Sequence, residues 1–208
     1  MYIPTAFAET RIDVLQNVIR DFPFATLITT TEAPLPTISH LPLILDSRRS
    51  ENGVVIGHLA RVNPHAAALS QGRPTVAVFH GPHAYVSPAW YRTSPAVPTW
   101  NYVAVHASGV PQVVADPMRV REILLQTTAA FEAPDSSYQA ADLPATFLAT
   151  MAQAVVAFEM PIDRIEGKFK LSQNRSAADQ EAVFATLNGG DAMGKAIANL
   201  MPKRPART

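Results

Sequence analysis

Between Phe79 and Gly109 the chain reads FHGPHAYVSPAWYRTSPAVPTWNYVAVHASG. That stretch holds three of the six histidines, both tryptophans and three of the five tyrosines, with Arg92 as its only charged side chain. Tyr and Trp carry polar atoms that need partners when buried, and proline is excluded from central strand positions. A stiff, ring-lined, mostly neutral wall with a few directed donors suits a flat aromatic ligand. An ordered crossover loop packed over the end of a β-barrel accounts for the same residues without any ligand.

Two further segments carry groups of the right chemistry. Gly57 to His65 (GHLARVNPH) ends a predicted strand and opens a predicted helix. Arg61 stands beside that start with the bidentate fork that phosphate oxygens accept, although Asn-Pro is also a common structural cap. Glu166 to Ser176 (EGKFKLSQNRS) places Lys168, Lys170 and Arg175 beside the amides of Gln173 and Asn174. Such a set can meet a phosphate or the hydrogen-bonding edge of a heterocycle, or serve only as a solvated connection. His80 and His83 flank Gly-Pro with no carboxylate close in sequence, and a zinc site needs three protein ligands, so no metal is expected. The chain has no G-x-S-x-G, P-loop or G-x-G-x-x-G motif,.

The elements that must position these groups follow from pattern. A helix is predicted from Thr10 to about Arg20, with Thr10 as cap. Strands are predicted at Phe24–Thr30, Thr37–Leu45 and Val54–Leu59, then a helix from Asn63-Pro64 to Gly72. Thr75–Phe79 and Ala84–Ser87 read as a strand pair around His80–His83. Thr99–His106 and Val110–Ala115 read as a hairpin about Ser108-Gly109. Asp116-Pro117 opens a helix to Phe131, a second helix runs from about Leu143 to Ala152, and Ala154–Ile165 reads as one strand. Ser176 caps a helix to about Leu187, Gly194–Leu200 adds a last turn or two, and 202–208 reads as a frayed tail. Seven or eight mostly antiparallel strands with short connections point to a closed barrel, which leaves no exposed edge. One α+β domain spanning 1–208 is expected.

Composition bounds the partners. Lysine plus arginine equals aspartate plus glutamate, 17 against 17 in 208 residues, so nothing in the net charge calls for a polyanion. Charged residues are 16%, against about 25% in ordinary globular domains, which suggests a surface partly covered by another subunit. There is no cysteine, as befits a reducing compartment. No signal peptide or membrane span is visible, so a cytoplasmic protein is expected.

Taken together, YIPTAFAET, GHLARVNPH, FHGPHAYVSPAWY, VPTWNYVAVHASG and EGKFKLSQNRSAAD resemble, in order, the PaiB family of FMN-binding negative transcriptional regulators. The resemblance runs from about Met1 to Leu200. It implies an antiparallel FMN-binding split barrel with peripheral helices, a homodimer, and FMN held at the subunit interface. Carried onto this sequence, it makes Arg61 the first phosphate ligand, with Ala60 and Asn63 in the same segment. Ser39, His40 and Leu41 fall on the strand beside the isoalloxazine, and Trp100 and Asn101 on its aromatic wall. Lys168, Ser172, Gln173 and Asn174 lie near the cofactor, from the same subunit or its partner. Phe169 stands where Trp is expected in relatives, and the loop from Thr93 to Pro98 is short. No general acid or base stands out beyond His40, His58 and His83 by pKa range. DNA binding is implied by the family label and unsupported by charge. A flavin-dependent oxidoreductase without DNA binding is the alternative, and a haem-binding or haem-degrading protein the weaker third.

Overall fold

The structure, a computed structural model, describes residues 1–202. In chain order it forms β1 (Ala8–Glu9), α1 (Ile12–Asp21), β2 (Phe24–Thr29), β3 (Thr37–Pro42), β4 (Ile44–Asp46) and β5 (Val54–Ala60). There follow α2 (His65–Ser70), β6 (Thr75–Val86), β7 (Thr99–Gly109), β8 (Gln112–Val113), α3 (Pro117–Phe131) and α4 (Ala145–Gln153). The last elements are β9 (Val155–Pro161), β10 (Arg164–Lys170), α5 (Ala177–Asn188) and α6 (Ala192–Leu200). The secondary structure is mixed α and β, and the strand pairings given below are antiparallel.

The chain divides into two compact units, and β6 and β7 each run from one into the other. The larger unit comprises Ile12–Phe79 and His106–Ile165. In it β2 pairs with β3 (Thr26 opposite His40) and with β6 (Thr26 opposite Val78). A second sheet runs β4-β5-β9-β8, with Gly57 opposite Phe158. Leu15, Ile19, Leu27, Leu43, Phe79, Phe158 and Met160 are fully buried there. Val54, Ile56, Val120, Ile123 and Ala157 form a further apolar cluster under α3.

The smaller unit comprises Met1–Arg11, His80–Val105 and the described chain from Glu166 onward. Its strands run β1-β10-β7-β6, with Ala8 opposite Lys168, and α5 packs on α6 around Val183, Leu187 and Ile197.

Several helix signals hold. Asn63 Oδ1 accepts from the His65 amide at 2.9 Å, Asp116 Oδ1 from Met118 at 3.0 Å, and Ser176 Oγ from Asp179 at 3.2 Å. At α1, however, the Glu9 carboxylate accepts from the amides of Thr10 and Arg11, and the helix begins at Ile12. On its buried face Ile12 is only half-buried and Gln16 is buried.

Four strand expectations are corrected. The run over Thr37–Leu45 divides at Leu43, a fully buried residue whose amide bonds to Pro23 O at 2.9 Å, so β3 and β4 enter different sheets. Thr75–Val86 is one strand rather than two around a turn. Gly81 is there because a Cβ would come within 2.9 Å of Val103 Cβ, a close approach to β7. No hairpin forms at Ser108-Gly109: β7 continues to Gly109, where a Cβ would meet Pro161 O at 2.1 Å, and Gln112–Val113 pairs with β9. The strand expected over Ala154–Ile165 is two strands, broken at Ile162-Asp163, where the Asp163 amide bonds to Ser108 O at 2.9 Å. Apart from Pro202, the tail expected to fray lies outside the described residues.

Candidate functional site

The candidate cofactor residues separate into two groups, one in each unit. Ser39, His40, Leu41, Ala60, Arg61 and Asn63 belong to the larger unit. Ser39 and Leu41 share one face of β3, half-buried and buried, while His40 projects to the exposed face and meets Thr26 Oγ1 at 3.1 Å.

Ser39 belongs to a buried chain of hydrogen bonds whose directions follow from donor counting. Thr75 Oγ1 donates to Arg73 O (3.1 Å), so its contact with Thr29 (2.8 Å) requires Thr29 to be the donor. Thr29 Oγ1 therefore accepts from His65 Nε2 (2.8 Å), which leaves Nδ1 to accept from Ser39 Oγ (2.9 Å),. Asn63 Nδ2 donates to Ser39 Oγ at 3.2 Å. Burial pushes the His65 pKa below its usual value, and the chain needs the neutral ring,. His65, Thr29 and Thr75 are absent from the sequence-based site. The only local signal was His65 at the end of the Asn-Pro cap; its partners lie far away in sequence.

Arg61 is exposed, with its guanidinium committed to backbone. Nε donates to Gln153 O and Nη2 to Val155 O, both at 2.6 Å, while the Arg61 amide bonds to Ala154 O at 2.8 Å. A cation thus sits at the carbonyl end of α4, where the helix dipole favours it. Ala60 is exposed at the end of β5, and its carbonyl accepts from the Asn63 amide at 2.9 Å.

Trp100, Asn101, Lys168, Ser172, Gln173 and Asn174 belong to the smaller unit. Asn101 and Ser172 are buried and bond to each other. Ser172 adopts φ +65°, a left-handed turn just past the end of β10. Gln173 accordingly folds back, accepting from the Leu171 amide and donating to Phe169 O. Lys168 is buried, donates to Tyr2 O at 3.0 Å and lies over the Tyr2 and Tyr102 rings. Lys170 donates to Thr99 Oγ1 and to Trp100 O. Desolvation, with Lys168 and Arg175 nearby, lowers the Lys170 pKa. Asn174 is exposed and Phe169 buried.

The Trp100 indole is 52% exposed, with Tyr85 edge-on at 5.9 Å and His83 tilted at 6.2 Å. Beside Trp100, a cavity of about 50 Å³ is lined by Tyr91, Thr99, Asn101, Lys170, Ser172, Asn174 and Arg175. The Tyr91 hydroxyl is buried without a partner, and the Arg175 guanidinium stacks 4.3 Å from the Tyr91 ring. The cavity admits a water or one small polar group and no ring system. An open indole face, cations and an orphaned hydroxyl together fit a flavin with its polar and anionic groups.

Among the described residues no three His, Cys, Asp or Glu side chains lie close enough to hold a metal ion. Nor, among them, is any helix long and apolar enough to cross a membrane.

These features define an α+β protein of the FMN-binding split-barrel class. The solved flavocytochrome Anf3 of Azotobacter vinelandii shares the fold, with TM-score 0.62 and 12% identity over 78% of this chain and 69% of that one. So does the FAD and haem binding protein of Mycobacterium smegmatis, with TM-score 0.63 and 18% identity over 84% and 78%. The chain belongs to the family described as "Putative FMN-binding domain", matched over residues 1–164. It is 31% identical to the protease synthase and sporulation protein PAI 2 of Bacillus subtilis over 97% of this chain and 96% of the relative, which bears out the PaiB resemblance. It is also 34% identical to an uncharacterised protein of Emericella nidulans over 98% and 97%. FMN is the cofactor that goes with the family.

Proposed function

We propose that this protein binds FMN as a cytoplasmic twofold homodimer and acts as a PaiB-type negative regulator whose response is set by the flavin. The observation that carries the reading is Trp100, an indole left half in solvent with Tyr85 and His83 against it, beside a cavity lined by the cations Lys170 and Arg175. An aromatic surface of this kind is costly to leave uncovered and stacks well on a planar heterocycle.

In this reading Nη1 of Arg61 and the Asn63 backbone meet the phosphate, while Ser39, His40 and Leu41 run along the ring. Ala60 supplies backbone at the phosphate end, and Asn101, Lys168, Ser172 and Asn174 complete the polar wall. Gln173, its amide taken by backbone, shapes that wall. When bound, FMN supplies one- and two-electron chemistry, and the protein supplies orientation and electrostatics.

Zero net charge favours a second reading, a flavin-dependent oxidoreductase without DNA contact. One set of measurements separates them. Titration of flavin-free protein with FMN should quench flavin fluorescence, and Trp100→Ala should weaken binding by roughly tenfold, about 1.4 kcal/mol. Salt-sensitive retention on DNA supports the regulator; consumption of reduced nicotinamide without retention supports the oxidoreductase. Absence of FMN binding, or haem uptake in its place, overturns both.

A further inference from the structure

Within the larger unit a cleft of about 540 Å³ opens beside α3 and α4, next to the apolar cluster of Val54, Ile56 and Ile123. Its floor is apolar, with Val120, Leu148 and Val156 all buried, and Met118 at its mouth is 62% exposed. α4 turns Ala145, Ala149 and Ala152 toward it at helical spacing, so the helix leaves a gap where larger side chains would close the core,. The size falls within the usual range for small-molecule sites, about 300–1,000 Å³.

Charge in the cleft is of one sign. Arg61 and Arg121 line it, and no acidic side chain does. The two acids adjacent in sequence to lining residues are engaged elsewhere, Asp116 with the Met118 amide and Glu122 with Arg119 at 3.0 Å. Arg121 Nε is buried with no hydrogen-bond partner. A guanidinium N–H out of water and unpaired is among the less favourable groups a protein can hold, and an anionic oxygen would satisfy it.

From this combination we infer a second ligand site, sharing only Arg61 with the proposed flavin residues, for a monocarboxylate with an apolar body such as a medium-chain fatty acid. The apolar tail lies against Val120, Leu148 and Val156 and displaces water from them. The carboxylate meets Arg121, while Arg61 keeps its guanidinium on Gln153 O and Val155 O. Such a site would let the protein respond to an amphiphilic acid as well as to FMN.

The test uses FMN-loaded protein and three probes in calorimetric titration: decanoate, decanol and decyltrimethylammonium. Decanoate should bind once per chain, decanol more weakly, and the ammonium least. Arg121→Gln should weaken decanoate by roughly tenfold or more and leave decanol unchanged, because only the charged pair is lost. Ala149→Trp, a substitution at an exposed lining position, should abolish binding of both while the protein keeps its flavin. In methyl-labelled protein the Met118 resonance should shift with decanoate, which reports occupancy without any substitution. The inference is overturned if decanoate does not bind, if the three probes bind alike, if Arg121→Gln binds decanoate normally, or if Met118 is unmoved. Competition between FMN and decanoate would give the cleft to the flavin and likewise overturn a separate site.

Discussion

Asn101 and Ser172 hold each other in a closed exchange: Asn101 Nδ2 donates to Ser172 Oγ at 2.9 Å, and Ser172 Oγ donates to Asn101 Oδ1 at 3.2 Å. Both side chains are buried, and 71 residues separate them. The pair ties the start of β7 to the end of β10 at the point where Ser172 takes φ +65°.

Ser172→Ala should therefore destabilise by about 1–3 kcal/mol, because it leaves the buried Asn101 amide unpaired. Ser172→Gly makes the same deletion but suits the left-handed backbone, so it should destabilise less. Urea unfolding of the two variants measures the difference. Equal losses would mean that the backbone at this turn contributes nothing.

Arg61 has two roles to be separated. Arg61→Ala removes the proposed phosphate contact and should weaken FMN by about 1.5–3 kcal/mol. Arg61→Lys keeps the positive charge but lacks the fork that holds Gln153 O and Val155 O. It should recover much of the FMN affinity while the end of α4 exchanges its amides faster. If the lysine variant binds FMN no better than the alanine variant, charge at this position is irrelevant to the cofactor.

Asp179 gives a pH prediction. It is 1% exposed, and its carboxylate accepts from the Thr93 hydroxyl at 2.6 Å and from the amides of Arg92 and Thr93. The Thr93 hydroxyl first, then the backbone donors, hold its pKa at about 2, below the ordinary 3.8. The folded state thus binds this proton less readily than the unfolded chain. Its stabilisation is complete above about pH 4 and fades toward pH 2. Asp179→Asn should be less stable than the parent at neutral pH, with the gap narrowing across that window. A gap that is constant with pH would exclude the carboxylate charge as its source.

Histidine sets the next limit. Burial lowers the pKa of His65 and of His58 below the ordinary 6.5. The unfolded chain takes up those protons first, so stability should fall as pH drops below about 6.5 and level off beneath the folded pKa values. Replacing both histidines by glutamine should flatten that part of the profile. His65→Leu should also remove one hydrogen bond each from the Ser39 and Thr29 hydroxyls, which keep Asn63 and Thr75 as partners, at about 0.5–1.5 kcal/mol for each bond lost,. Chemical denaturation at several pH values tests both statements.

The sequence by itself determined what rests on neighbouring residues. Asn63, Asp116 and Ser176 cap because each side chain reaches an amide two or three positions ahead,. The β2–β3 hairpin and the fold class were legible from alternation and turn residues, and the family from five motifs in order. Glycine and proline misled wherever their purpose was tertiary. Gly81 and Gly109 read as turns, yet each is small because another strand passes too close for a Cβ. Only the tertiary structure set Ser39 against His65, tied Asn101 to Ser172 and sent the Arg61 guanidinium to the carbonyls ending α4. Those contacts join residues 26, 71 and 92 positions apart. No local propensity encodes them, because their geometry exists only once the sheets have paired and the apolar faces are buried.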